Sequence, residues 1–192
     1  MVQWLLPILK ASCSEAGFSV PDDAIQVLGG AGYTREWPIE QWLRDARMMS
    51  IAEGSSGIQA LDLLHRRLWR DKGRDLHHFL AAARAEVGEP AGSGEGAASL
   101  VLDRLEEAAV HLSGLESTPR EAEAGATAFL RLAILASTGW MAVRLSRLGG
   151  DAVSGRLAAA GQYWLSDLAI RANLEFAELR LGAARLDLFG QL

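Results

Sequence analysis

Gln26-Val-Leu-Gly-Gly-Ala-Gly-Tyr-Thr-Arg-Glu-Trp-Pro-Ile-Glu40 runs into Gln41-Trp-Leu-Arg-Asp-Ala-Arg-Met-Met49 and then Ser50-Ile-Ala-Glu-Gly-Ser-Ser-Gly-Ile-Gln59. Two glycine-dense turns, 29–32 and 54–57, bracket a short amphipathic segment. Glycines this close together mark places where the backbone takes positive φ or lets something approach it. Between them, Trp37-Pro38 opens a short helix to about Arg47, with Ile39, Trp42, Leu43 and Ala46 at three- and four-residue spacing. Glu53 sits inside the second turn, and Ser55 or Ser56 can cap the long helical pattern that follows. The N–H groups at such a helix start have no helical partner and are free for a ligand. The helical period continues on both sides, so the stretch sets the fold class as all-α.

Towards the N-terminus, residues 2 to about 17 carry Trp4, Leu5, Ile8 and Leu9 on one side and stop at Gly17. A face holding Trp4 and Leu5 so near the chain end reads as one that expects a partner, and with Trp37 and Trp42 it should leave an apolar patch exposed. A second helix starts at Pro21-Asp22-Asp23 and stops at Gly29-Gly30. Towards the C-terminus, Ile58, Leu61, Leu64, Leu68 and Trp69 share one helix, which breaks near Gly73 and resumes through His77 to Val87. Residues 88–96 hold glycine, proline and serine with nothing large enough to pack, and read as a linker. This gives a first helical domain, 1–87, and a second helical bundle, 97–192. In the second, Ser99 caps a helix to Leu115. Thr118-Pro119-Arg120-Glu121 is a capping box that starts a helix to Leu148. The last helix fills Ala152 to Phe189. No period-two alternation runs long enough for a strand.

The composition narrows the function. With 192 residues, 49% of them apolar, the chain can bury a sizeable core, and its net charge of −5 comes from interleaved rather than massed charges. No nucleic-acid partner is expected. Cys13 is alone, which leaves no internal disulfide or thiolate metal site and suits a reducing, cytoplasmic setting. The first residues read as no signal peptide, and the apolar run Leu132 to Val143, bounded by Arg131 and Arg144, is too short to span a membrane. His77 and His78 diverge on a helix, His65 and His111 have no acidic or histidine partner at ligand spacing, and no metal site is assigned. Arg44-Asp45 reads as an ion pair, and the Leu, Met and Trp stripes read as core.

In order and spacing, Gln26-x-x-Gly29-Gly30-x-Gly32-Tyr33, then Arg44-Asp45-Ala46, then Glu53-Gly54-Ser55 resembles the C-terminal helical domain of FAD-dependent acyl-CoA dehydrogenases. Leu5 to Ala11 resembles the helix preceding that pattern, so the resemblance covers roughly residues 1–70. Residues 97–192 resemble the extra helical domain that some members append, including those acting on methylthiopropanoyl-CoA. The resemblance implies that Glu53 is the base that removes the α-proton of an acyl-CoA thioester. Its backbone N–H would donate to the thioester oxygen, with Gly54 beside the substrate. It also implies FAD contacts at Gln26 and Gly30, in that family on a neighbouring subunit. Ser55 keeps the hydroxyl of the family threonine. Gly57 occupies a position near the adenosine half, where some members place a side chain. Ala52 replaces the usual tyrosine, which alters the substrate pocket.

Family members carry an N-terminal helical domain and a β-domain that supply most acyl-CoA and isoalloxazine contacts, and this sequence shows neither. The expectation is therefore a partner: a homo-oligomer or a separately encoded half carrying those domains. A second reading is a non-catalytic helical assembly module that retains the pattern. Taken alone, Glu53 would read as a plain helix-start charge and Gly29–Gly32 as a helix stop. The surrounding order of elements favours the catalytic reading.

Overall fold

Trp4, Ile8 and Ala11 recur at helical spacing and lie on the buried side of the first helix, α1 (Val2–Leu28). The computed structural model describes residues 1–52, 54–88 and 92–188. Glu53, the middle of the expected linker (89–91) and the expected end of the last helix at Phe189 lie outside the described residues. Contrary to the sequence reading, α1 does not stop at Gly17, and both Pro7 and Pro21 lie inside it. An interior proline costs about 3 kcal/mol through a lost hydrogen bond and a ring clash. Packing offsets this cost, because α1 lies against α2 (Ile39–Ala52). At the crossing Gly17 stands next to Ala46, where an added Cβ would come 3.9 Å from the alanine methyl.

After α2 the chain enters α3 (Ser56–Asp62), which passes without a break into a π-helical stretch, Leu63–Arg70. The expected break is at Lys72-Gly73, both at positive φ, and α4 (Arg74–Val87) follows. The next helix, α5, spans Ser93–Ser113 and so begins inside the segment read as linker, six residues before Ser99. Tertiary contacts account for the early start. Gly94 lies against Leu165, and Arg147 binds the Glu86 and Val87 carbonyls and the Glu95 carboxylate at 2.6, 2.8 and 2.8 Å.

The helix expected from Thr118 to Leu148 is two helices, α6 (Pro119–Ala124) and α7 (Ala126–Ser146). Pro119 does open α6, but the capping box does not form. The Thr118 hydroxyl donates to the Leu115 carbonyl, and Glu121 accepts from the Ala183 N–H at 2.8 Å. The long terminal helix is also divided, into α8 (Ala152–Ser166), α9 (Leu168–Leu179) and α10 (Ala184–Asp187). Among the described residues there is no strand, and the fold is all-α.

The central element is α7. It buries residues all round, from Ala126 through Phe129, Leu132 and Ala136 to Val143, against α5, α8, α9 and α3. Its 21 residues are long and apolar enough to span a membrane by length and composition, unlike the shorter run from Leu132 to Val143 judged from sequence; more than half of the window is buried here by protein. Trp4 is likewise interior and not partner-facing. It is fully buried, with ring centroids 6.4 Å from Phe79 and 6.0 Å from Phe129. One apolar core therefore runs from α1 through α4 and α5 to α9, and residues on both sides of 88–96 contribute to it. Trp69 Nε1 adds a 3.0 Å hydrogen bond to the Leu112 carbonyl, and Arg84 pairs with Asp103 and Glu106 at 2.8 Å.

The amphipathic stripe of α2 is partly covered, since Ile39, Leu43 and Ala46 are half-buried. Trp42 is exposed, as expected of an apolar patch shared with Trp37, and the methionines read as core are exposed too. No residue of α2 is buried, and Trp42, Met48, Met49 and Ile51 are each more than half exposed. Arg44 pairs with Glu40 one turn back, at 3.0 Å, and not with Asp45. Adjacent residues on a helix diverge by about 100°, whereas i and i+4 meet on one face.

Candidate functional site

Leu28 hands the chain to a 3₁₀ turn, Gly29–Tyr33, that folds back on the end of α1. The turn is tight at Gly32, where any Cβ would lie 2.9–3.0 Å from Leu28 and the Ile25 backbone. Gly30 is different, since a Cβ there would meet nothing within 4 Å and its φ is not positive. The chain's own packing thus accounts for Gly32 as glycine, while Gly30 leaves bare, accessible backbone. Gln26 is exposed on the last turn of α1, with its carbonyl accepting the Gly29 N–H.

The second turn follows α2. Gly54 takes φ 89°, and Ser55 is extended at φ −58°, ψ 157° and precedes α3. Ser55 accepts the Gln59 N–H through its carbonyl at 3.1 Å, but its hydroxyl makes no capping bond and faces solvent. Gly57 is open as well, with Ser55 Oγ, 3.9 Å from an added Cβ, as the nearest neighbour. Ser56 donates to Glu15, which fastens the start of α3 to the middle of α1. Glu53, the expected base, belongs to the sequence between Ala52 and Gly54 but not to the described residues.

The predicted positions fall into two groups. Gly54, Ser55 and Gly57 share one turn. Gln26 lies eleven residues beyond Glu15 on α1, which is roughly 16 Å along a helix axis, so Gln26 and Gly30 form a separate place on the surface.

The Ser55–Gly57 turn borders a groove of about 390 Å³ whose far wall comes from the C-terminal half of the chain, with Arg120 and Glu123 on α6, Thr127 on α7 and Leu186 on α10. Arg120 is exposed and bonded to Asp187. That hydrogen bond holds the guanidinium more firmly protonated and pulls the Asp187 carboxyl below its ordinary value. Glu123 pairs with His65 at 2.9 Å, and the His65 ring sits edge-on to Trp69. His65 thus has an acidic partner that the sequence reading did not find, because 58 positions separate the two. The groove residues from α6, α7 and α10 were also missed, and nothing local in sequence marks them. A larger cavity of about 620 Å³ lies elsewhere, lined by Gly92, Gly94 and Gln162 among others, and contains none of the expected site residues. Among the described residues no cluster of three His, Cys, Asp or Glu side chains could hold a metal.

Residues 5–68, from α1 to the π-helical stretch, match the family model described as "Acyl-CoA dehydrogenase, C-terminal domain". They belong to that family. The acyl-CoA dehydrogenase C-terminal domain thus contains both glycine-rich turns and all the predicted site positions, whereas the far wall of the groove lies beyond it. The chain is 34% identical over its whole length to the 3-methylmercaptopropionyl-CoA dehydrogenase of Ruegeria pomeroyi, covering 31% of that protein. It is 39% identical over 90 residues to the broad-specificity linear acyl-CoA dehydrogenase FadE5 of Mycobacterium tuberculosis, which is 47% of this chain and 15% of that protein. The rat mitochondrial short-chain specific acyl-CoA dehydrogenase matches over 52 residues at 50% identity, 27% of this chain and 13% of its own length. The chain therefore spans under a third of the curated relatives it matches. Of these three, the Ruegeria protein aligns beyond the acyl-CoA dehydrogenase C-terminal domain through α5–α10.

Proposed function

We propose that this chain forms the C-terminal part of an FAD-dependent acyl-CoA dehydrogenase, acting in the α,β-dehydrogenation of an acyl-CoA thioester. The observation that carries the reading is the pair of turns, each accessible at the position the family assigns to flavin. Gly30 offers backbone with no neighbour in the space a side chain would take, and Ser55 offers an exposed hydroxyl without a capping partner. These features fit flavin nucleotides, with Ser55 and Gly57 holding one at this chain's turn and Gln26 and Gly30 reaching the one bound on a neighbouring subunit, as in the family. When bound, FAD would supply the acceptor for the β-hydride.

Glu53 would remove the α-proton, since a carboxylate is the residue type that can take a proton from carbon once the thioester is held. Its backbone N–H would donate to the thioester oxygen and so stabilise the charge that develops there, with Gly54 beside the substrate. Ala52 in place of the family tyrosine leaves room next to the base. The rest of the site would come from regions equivalent to the remaining length of the relatives, on the same or a separate polypeptide or across a homo-oligomer. A lone, exposed Cys13 fits a reducing cytoplasm.

The test is reconstitution. The chain is co-expressed with the remaining portion of the Ruegeria relative, and flavin absorbance and acyl-CoA turnover are measured. Glu53→Gln should keep flavin and acyl-CoA but lose ~10²–10⁴-fold or more in rate, because Gln retains the shape and N–H but accepts no proton. Ser55→Ala should instead weaken flavin retention by about 1 kcal/mol, one hydrogen bond. Unchanged flavin reduction by Glu53→Gln in a single turnover would place the base elsewhere. A reconstituted, folded and colourless assembly would support the alternative, a non-catalytic assembly module.

A further inference from the structure

We propose that the open face of the α7–α8 hairpin binds a second copy of this chain, in a two-fold arrangement that makes a four-helix bundle and seats Leu157 of each copy in a groove of the other. The face lies beyond residues 5–68, which match the family model, so the inference does not depend on the flavoenzyme reading.

Its starting point is that α8 is a surface helix with the composition of an interior one. Only Gly161 and Leu165 of its fifteen residues are buried, yet Arg156 is its single charged side chain. A solvated helix carries charged and polar residues on its open face, whereas the centre of an interface is depleted of charge and holds aromatic and methionine side chains. Val153, Leu157, Ala160 and Trp164 recur after four, three and four residues, the spacing of a coiled-coil seam. Val153 and Leu157 are 56% and 43% exposed, and Ala160 is exposed as well. Across the hairpin, Thr138, Met141 and Leu145 of α7 follow the same spacing. The two runs enclose an apolar groove of about 310 Å³, lined by Thr138, Met141 and Leu145 on one side and Ala160, Gly161 and Trp164 on the other. Beneath it the helices cross closely, since a Cβ on Gly161 would lie 2.6 Å from the Ala142 carbonyl. The hairpin thus presents half of a bundle core.

Three properties make a second copy the occupant. The first is self-complementarity. An exposed large residue, Leu157, stands one turn from the small residue that borders the groove, Ala160. When α8 lies antiparallel to α8 of another copy with Leu157 opposite Ala160, large meets small, and two-fold symmetry repeats the contact. Val153 then faces Trp164. The second is charge. A face with so little charge meets its own copy without repulsion. Its lone Arg156, on a chain of net charge −5, gives little hold on an anionic lipid surface. The third is area. Fifteen residues of helix and two helix widths give a face of ~22 Å by ~20 Å. Two such faces withdraw on the order of 900 Å² even as flat plates, close to the ~1,000–1,200 Å² at which specific interfaces begin. That area suits a reversible dimer rather than an obligate one.

The experiment uses the full 192-residue chain carrying Trp42→Lys and Met49→Lys, which removes any association through α2. Sedimentation equilibrium from ~1 μM to ~1 mM should show monomer and dimer exchanging with a micromolar dissociation constant. Leu157→Glu, which brings two charges into the bundle, should weaken the dimer at least ~10-fold. Ala159→Glu, next to the seam residue but off the seam, should leave it within ~2-fold. Leu157→Ala and Ala160→Leu should each weaken the dimer, and the two together should restore it, because the large residue then sits at the other position of the same pair. Circular dichroism confirms that every variant is folded. A monomer throughout, an unchanged dissociation constant in Leu157→Glu, equal weakening by Ala159→Glu or no recovery in the double variant overturns the inference. Two further outcomes also overturn it by naming another occupant. Uptake of the monomer onto phosphatidylglycerol vesicles, blocked by Leu157→Glu, assigns the face to a lipid surface. Loss of the dimer on co-expression with the remaining portion of the Ruegeria relative, with Leu157→Glu weakening that association instead, assigns the face to that portion.

Discussion

Replacing Trp4 separates an interior role from a docking role. The side chain is fully buried between Phe79 of α4 and Phe129 of α7, so it ties helices from both halves of the chain. Truncation of a buried aromatic to alanine costs about 3–5 kcal/mol, and at this chain length each kcal/mol moves the midpoint by about 2–4 °C. Trp4→Ala should therefore lower Tm by roughly 6–20 °C. Trp4→Phe should stay within ~1 kcal/mol of the parent for a specific reason. The Trp4 N–H is buried without an acceptor among the described residues, and removing such a donor recovers about 1–3 kcal/mol. Against this, a smaller ring leaves roughly 40 Å³ unfilled, worth ~1 kcal/mol at ~24 cal/mol per Å³. The assay is chemical denaturation followed by far-UV circular dichroism and by tryptophan emission. Both probes should report one transition, because one core spans the chain. An unchanged midpoint in Trp4→Ala, with a loss of self-association instead, would refute the interior placement and restore a partner-facing α1.

Gly161→Ala should lower Tm by several degrees, because the new methyl would lie 2.6 Å from the Ala142 carbonyl and 2.8 Å from the Ser146 nitrogen, both backbone. Gly155→Ala in the same helix meets nothing within 4 Å and should raise stability by about 0.5–1 kcal/mol; matching midpoints for the two variants would contradict the close α7–α8 crossing. Asp151 accepts the Ser154 N–H at 2.7 Å and caps α8, and this bond lowers its pKa below 3.8. The cap's contribution is thus complete above the unfolded value and lost as pH falls through the folded one, so the Tm gap between parent and Asp151→Ala should close in acid; a gap that widened in acid would reverse the sign. The exposed face of α2 should bind an apolar dye and promote association. Trp42→Lys with Met49→Lys, seven residues apart on one face, should abolish what this face adds to both without shifting Tm, since neither residue is buried, and light scattering showing a monomer for the parent, with no dye uptake, would count against it.

Fold class was legible because the helical period is local. Each apolar stripe, glycine stop and proline start can be read within a dozen residues, and α3, α4 and α6 begin where those signals put them. The misplaced boundaries share one cause. Gly17 and Pro21 look like a stop and a start, yet α1 runs through both because α2 packs along it. The 92–96 glycines look like linker, yet residues from Ser93 are helical because Leu165 and Arg147 hold them there. In each case a local preference worth at most ~3 kcal/mol is outweighed by contacts made by residues distant in sequence. Trp42 on α2 shows the converse, since it shares helical spacing with the half-buried Ile39 and Leu43 yet is itself more than half exposed, so the spacing specifies a face without specifying how far it is covered.

The same division runs through the site. The two turns were legible because glycine density and a following helix are local properties, and the family pattern adds an order that chance rarely produces. The groove wall was not, because Arg120, Glu123, Thr127 and Leu186 are brought beside Ser55 by tertiary packing across more than 60 residues of sequence. His65 illustrates the limit, since its acidic partner Glu123 lies a whole domain away in sequence. A change in the groove therefore need not touch the family pattern. Substitutions on α6, α7 or α10 would reshape one wall of the groove while the Glu53–Gly57 turn stayed constant.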